Sequence, residues 1–238
     1  MAGFETLIYR KEGATGYITL NRPRVLNVYN IQMRDELYQV LEALRDDPEV
    51  RVAIFSGEGR AFCAGADLSE FLTAPAPVLA RRARWDRDVW GLFLSLPQIF
   101  IAALHGYVLG SGMEIALCCD LRIASEDARF GLPETGLGII PAAGGTQTLP
   151  RTVPLGPALE MLLLGQSLTA SQARKIGLVN RVVPPGELLP TAQALSRRIL
   201  DLSPAMVRYV KEGVNRGMEM ALAQGLELEN SLARALGV

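Results

Sequence analysis

Residues 99–134 read Ile99-Phe100-Ile101-Ala102-Ala103-Leu104-His105-Gly106-Tyr107-Val108-Leu109-Gly110-Ser111-Gly112-Met113-Glu114-Ile115-Ala116-Leu117-Cys118-Cys119-Asp120-Leu121-Arg122-Ile123-Ala124-Ser125-Glu126-Asp127-Ala128-Arg129-Phe130-Gly131-Leu132-Pro133-Glu134. The first six residues form an apolar run of strand length, as a buried strand requires. Gly110 and Gly112 permit close backbone approach and left-handed dihedrals where Met113-Glu114-Ile115-Ala116-Leu117 begins to read as a helix. A free amide therefore points out of a helix start, backed by the positive end of the helix dipole, and suits an oxygen that turns negative during a reaction. Glu114 lies one turn further in. Glu134 follows 134 − 114 = 20 residues later, after a strand at Leu121-Arg122-Ile123-Ala124 and a turn at Ser125-Glu126-Asp127. Both carboxylates are expected to face one cavity.

Toward the N-terminus, residues 4–9 and 17–20 flank Glu12-Gly13-Ala14-Thr15-Gly16 as a hairpin. Asn21-Arg22-Pro23-Arg24 ends the second strand, because proline cannot donate to a ladder, and sets two guanidiniums beside a loop. Asn30 is the expected N-cap of a helix over 31–45, with Leu37, Val40, Leu41 and Leu44 at helical spacing. Residues 50–55 form a short apolar strand, so the pattern becomes α/β. The small residues Ala61-Phe62-Cys63-Ala64-Gly65-Ala66-Asp67-Leu68 let a backbone pass close to a ligand and offer a second amide, with Asp67 or Ser69 as a helix cap. Neither glycine-rich stretch matches a phosphate-loop or dinucleotide fingerprint. An amphipathic helix is expected over 78–96, basic at Arg81, Arg82, Arg84 and Arg87 and aromatic at Trp85 and Trp90. Toward the C-terminus, helices are expected near 149–153, 156–164 and 171–176, then a last strand at 179–183. Helices over 187–200, 204–214 and 218–236 complete a strand-free tail. The expected division is a core over 1–185 and a helical region over 186–238.

With 238 residues, 49% of them hydrophobic, the chain can bury a full core. A net charge of −1 and a pI near 6.0 give no global field for nucleic acid or an anionic membrane, so an anionic ligand must be held by local cations. The three cysteines, Cys63, Cys118 and Cys119, show no CxxC spacing, which argues against a disulfide framework or a zinc site. No apolar run is long enough to span a bilayer and no targeting leader is visible, so the expectation is a soluble protein of the reducing cytoplasm.

Taken together, Asn21-Arg22-Pro23 with Asn27, residues 61–68, Gly110-Ser111-Gly112-Met113-Glu114 with Cys119-Asp120, Pro133-Glu134, and Ala143-Gly144-Gly145-Thr146-Gln147 resemble the crotonase, or enoyl-CoA hydratase/isomerase, family. The match spans nearly the whole chain. It implies an α/β fold built as a spiral of ββα units, a helical C-terminal trimerisation region, and a homotrimer or dimer of trimers. It also implies a coenzyme A thioester substrate, with no separate cofactor, metal, nucleic acid or membrane partner. The thioester oxygen would sit between the backbone amides of Ala66 and Ser111, and the two glutamates of hydratases fall on Glu114 and Glu134. Ala64, Asp67, Leu68, Arg22, Arg24, Gly110 and Gly112 are the expected substrate contacts, with Arg22 and Arg24 candidates for the coenzyme phosphates.

Hydrating an α,β-unsaturated thioester requires a stabilised enolate-like oxygen, a deprotonated water and a proton for the α-carbon, which two amides and two carboxylates supply. Carboxylates sharing one water push their pKa values apart, and the expected roles are Glu114 as base and Glu134 as acid. An enoyl-CoA isomerase or another lyase of the same fold is the nearest rival. A silent or RNA-binding relative would show a lost glutamate or a lysine-rich helix, and neither is present. Three positions depart from the family pattern: Ser111 replaces the middle glycine of a triple-glycine run, Ala142 replaces a glycine after Pro141, and Tyr29 replaces a small or aliphatic residue. Phe71, Leu72, Trp85 and Trp90 are expected to wall the acyl pocket, which with Tyr29 argues for a compact acyl group. Many members continue for another helix and a basic tail past the point matching Leu236-Gly237-Val238, so the helical region is expected to be short. The lone histidine, His105, has no triad partners in sequence and is expected to be packed and hydrogen-bonded. Cys63, among apolar neighbours, is expected to be an unperturbed thiol.

Overall fold

In the computed structural model, the described residues are 3–73 and 87–237, and the side chains of 71–73 lie outside the described set. Strands β1 (Leu7–Glu12) and β2 (Thr15–Leu20) form the expected hairpin, with Glu12 opposite Thr15 and Gly13 at φ 56° in the turn. Strands β3 (Val52–Gly57), β4 (Ile99–Leu104), β6 (Leu121–Ser125) and β9 (Arg181–Val183) extend it in parallel, giving the six-stranded order β1-β2-β3-β4-β6-β9. A second sheet, β5 (Tyr107–Leu109), β7 (Arg129–Gly131) and β8 (Leu168–Thr169), has order β5-β7-β8. Its strands are two or three residues long, too short for periodicity to reveal, and the sequence reading missed them.

The chain thus visits each sheet in turn and then a helix: β4, β5 and the helix Ser111–Cys118; β6, β7 and the 3-10 turn Pro133–Leu137. This is the expected spiral of ββα units. Every residue of β4 is buried because both faces of the sheet are covered. Ala53, Phe55, Phe100 and Ala102 point into the main core, where Phe55, Phe93 and Phe100 pack with centroids 4.6–5.8 Å apart. Val52, Ile54, Ile99 and Ile101 point the other way, onto Leu188 and Ala192.

In chain order the helices are α1 (Ile31–Asp46), α2 (Leu68–Thr73), α3 (Val89–Ser95), α4 (Ser111–Cys118), α5 (Gly145–Thr152), α6 (Leu155–Leu164), α7 (Ala170–Lys175), α8 (Leu188–Leu200), α9 (Pro204–Gly217) and α10 (Leu222–Ala235). Asn30 caps α1 as expected, its Oδ1 accepting from Met33 N at 2.9 Å. The helix expected over 78–96 is described only as α3; residues 78–86, with Trp85, Arg81, Arg82 and Arg84, lie outside the described residues. Beyond residue 185 the first helix, α8, covers the outer face of the main sheet, while α9 and α10 pack on each other. Lys211 ties α9 back to the core, donating to Asp120 Oδ2 at 2.8 Å and to the Gln98 carbonyl at 2.7 Å, 4.7 Å from the Phe100 ring centroid. Among the described residues, no helix is long and apolar enough to cross a membrane.

Candidate active site

The site is assembled from two loops zipped together by backbone hydrogen bonds. Cys63 N donates to Tyr107 O at 3.0 Å and Leu109 N to Cys63 O at 3.0 Å, which adds the loop 61–67 to the edge of β5. On its other side, Tyr29 N donates to Gly65 O at 2.8 Å and Asp67 N to Tyr29 O at 2.9 Å. Since these parallel-bridge bonds use the groups flanking Ala66, the Ala66 N–H faces away from Tyr29. The buried Asn27 sets the loop's height: its side chain accepts from Arg22 N at 2.7 Å and donates to the carbonyls of Glu58 and Ala61 at 2.9 and 2.8 Å.

Glycines allow the loops to touch. Gly65 and Gly110 both have positive φ, 119° and 50°, and the Gly65 Cα lies 3.3 Å from where a Gly110 β-carbon would sit. At Gly112 a β-carbon would collide with the Cys63 carbonyl oxygen, so α4 abuts the loop only because this residue has no side chain. The residues after the touching glycines are Ala66 and Ser111, and among the described residues neither amide donates to a backbone acceptor. Ser111 opens α4, so its N–H is one of the unpaired donors of a helix start.

Glu134 lies at this junction, and Glu114 sits on the first turn of the helix that follows it. Glu134 stands on the 3-10 turn Pro133–Leu137, closed by Gly138 in the left-handed region, and its Oε1 lies 3.1 Å from the Gly110 β-carbon position. Its Oε2 is buried without a hydrogen-bond partner among the described residues. Burial pushes its pKa up from the ordinary value, partly offset by a bond from its own backbone N–H. Glu114, 2% exposed on the first turn of α4, accepts through Oε1 from Ala143 N at 2.9 Å and Gly145 N at 3.0 Å. Those two amides were missed as partners in sequence, although residues 143–147 read as a family motif and a helix is expected to follow near 149.

The model of the enoyl-CoA hydratase/isomerase family matches residues 10–237 of the chain. The chain belongs to this family. A short-chain-enoyl-CoA hydratase from Clostridium acetobutylicum is 40% identical over 225 residues, covering 94% of this chain and 86% of its own. A crotonyl-CoA hydratase from Syntrophomonas wolfei is 38% identical over 227 residues, covering 95% and 87%. The crystal structure of an enoyl-CoA hydratase from Bacillus anthracis superposes with a TM-score of 0.92 at 36% identity, covering 97% of this chain and 90% of that one.

Within this crotonase fold, the other expected contacts divide. Gly110 and Ala64 belong to the zipped loops, Gly112 lies in the first turn of α4 against them, and Leu68 stands 45% exposed at the start of α2. Asp67 and Arg22 meet each other: Arg22 Nη1 lies 2.9 Å from Asp67 Oδ2 and also donates to Val28 O at 2.7 Å. Ser69 first and then Arg22 hold the Asp67 pKa below the ordinary value. Arg22 is therefore a brace of the loop, whereas Arg24 is exposed on the adjoining turn Pro23–Val25. Ala142 is exposed on the turn whose next amide reaches Glu114. Of the expected pocket wall, Trp90 packs on Tyr29 with centroids 5.9 Å apart, while Trp85 and the side chains of Phe71 and Leu72 lie outside the described set. His105 Nε2 lies 3.0 Å from the Gly59 carbonyl oxygen, a bond that holds the ring in place. Cys63 departs from the expectation of an unperturbed thiol: complete burial pushes it up to about 12, further from a nucleophilic thiolate.

Proposed function

We propose that this chain is an enoyl-CoA hydratase, adding water across the double bond of a 2-enoyl-CoA thioester to give a 3-hydroxyacyl-CoA. The observation that carries this reading is the abutment of Gly65 and Gly110, followed by two amides that meet no backbone acceptor among the described residues, with Glu134 beside them. The relatives' names point the same way. In the proposed mechanism the Ala66 and Ser111 N–H groups bind the thioester carbonyl oxygen, whose negative charge grows as water adds to the β-carbon. One such donor is worth about 3–4 kcal/mol in the transition state. Glu114, oriented by the Ala143 and Gly145 amides, takes a proton from the attacking water. Glu134, whose protonated form burial favours, delivers its proton to the α-carbon. A proton passing from Glu114 to Glu134 through solvent then restores both groups. The coenzyme enters as part of the substrate, so the scheme calls for no further cofactor, and Arg24 is the better placed of the two candidate arginines to meet its phosphates.

An isomerase is favoured by a single feature: Glu134 has a buried oxygen without a partner among the described residues, and moving one proton needs one carboxylate. Both readings are separated by absorbance of the conjugated thioester. Crotonyl-CoA should lose its absorbance in the presence of the protein; gain of absorbance from 3-hexenoyl-CoA with none lost from crotonyl-CoA would replace hydratase by isomerase. The family resemblance and an uncovered apolar stripe on α9 support a homotrimer or dimer of trimers. Three free buried thiols accord with a reducing cytoplasm.

A further inference from the structure

Tyr29 carries a polar atom that neither the fold nor the proposed mechanism uses. Its backbone is fully occupied, with N–H to Gly65 and carbonyl from Asp67, and its ring lies against Trp90. The hydroxyl oxygen at the far end is sealed from solvent and has no hydrogen-bond partner among the described residues. Leaving such a group unpaired in the interior is costly, and buried hydroxyls are nearly always satisfied.

The direction of the ring locates the hydroxyl. Tyr29 is bridged in parallel to Ala66, and bridged residues project side chains to the same side of the ladder. The ring therefore starts beside the loop whose amide the proposed mechanism aims at the thioester oxygen. Burial raises the phenol pKa above its ordinary value, which Arg34 opposes only in part. Of the cations facing it, Arg34 is already engaged by Asp35 at 2.6 Å. The hydroxyl thus stays a neutral donor on a residue bridged to Ala66, with an indole as the adjoining wall.

We infer that Tyr29 is a specificity residue of the acyl pocket, its hydroxyl donating a hydrogen bond to a hydroxyl or carbonyl oxygen carried on the acyl chain beyond the α,β carbons. The preferred substrate class is then an oxygen-bearing enoyl thioester rather than a plain hydrocarbon one. A site built to bond a substrate oxygen rejects the analogue lacking it far more strongly than an apolar pocket rejects an added methylene. This deepens the acyl-thioester reading above and rests on it.

The test compares trans-2-hexenoyl-CoA with its analogues hydroxylated at C4, C5 or C6, using wild type and Tyr29→Phe. In wild type, at least one hydroxylated analogue should show kcat/KM about tenfold or more above the hydrocarbon, and in Tyr29→Phe that ratio should fall toward one. A wild-type ratio of one or below for all three analogues, or a ratio that survives in Tyr29→Phe, overturns the inference. If wild type hydrates none of the four, the hydratase reading fails. The same ratio is then read from calorimetric Kd values of hexanoyl-CoA and the three hydroxyhexanoyl-CoA thioesters, with the same two outcomes overturning the inference. Thermal unfolding gives an independent readout: Tyr29→Phe breaks no hydrogen bond among the described residues and should melt at or above the wild-type temperature. A clear drop would mean that the hydroxyl serves the fold, which also overturns the inference.

Discussion

Glu134 combines a buried, unpartnered oxygen with a raised pKa, and its behaviour with pH follows from that. The folded chain holds this proton more tightly than the unfolded chain. The stabilising contribution of the acid form is complete below the ordinary value of 4.5 and is lost as pH rises through the higher folded value. Glu134→Gln should therefore unfold at a higher temperature than wild type above that folded value, with the advantage vanishing in acid; melting curves from pH 4 to 9 check this. The same proton serves the proposed reaction, so turnover should fall as pH rises through the folded value. Glu134→Gln and Glu114→Gln should each lower kcat by about a hundredfold or more while the Kd for a saturated acyl-CoA changes little, since a positioned acid or base contributes roughly 10²–10⁴. If either variant keeps near-normal hydration, the two-carboxylate scheme is wrong.

Among the elements, α4 and the loop 61–67 depend on atoms that are absent or fully used. Gly112→Ala drives a methyl into the Cys63 carbonyl, and relief requires α4 to move off the loop, carrying the Ser111 amide and Glu114 with it. The expected cost is about 1–3 kcal/mol by denaturant titration, with a larger proportional loss in kcat than in coenzyme binding. Asn27 occupies the left-handed region at φ 57°, which asparagine tolerates better than most residues, and makes three side-chain bonds to backbone. Asn27→Ala leaves those groups unpaired at the buried base of the loop. It should lose about 1–3 kcal/mol and slow turnover by displacing Ala66.

In the molecule as a whole, the C-terminal pair of helices leaves apolar surface uncovered. Met206, Val210 and Val214 recur every four residues along α9 and Met218 follows at its C-cap, all at 51–68% exposure, and Leu222 and Leu226 on α10 add to the patch. Patches of this kind mark interaction surfaces, and with the family resemblance the expected partner is a second copy of this chain. Light scattering should give a mass of three or six subunits, and Val210→Lys with Val214→Lys should shift it toward the monomer. A monomeric wild type at micromolar concentration would contradict this assignment.

Composition and pattern alone settled the alternation of strands and helices, the Asn30 cap, the hairpin and the ordered set of motifs that pointed to the family, because each depends on near neighbours in the chain. Glu114 and Glu134 were visible for the same reason, as carboxylates beside helix-start glycines and a proline turn. The second sheet was not legible, since strands of two or three residues exist only through their partners. Nor was the use of Arg22 as a brace, which requires Asp67 to be folded back over 45 residues of chain. The amides that hold Glu114 come from 29 and 31 residues away. The unsatisfied Tyr29 hydroxyl likewise became visible only in three dimensions, because burial and the lack of a partner are properties of the packed interior and not of any stretch of sequence.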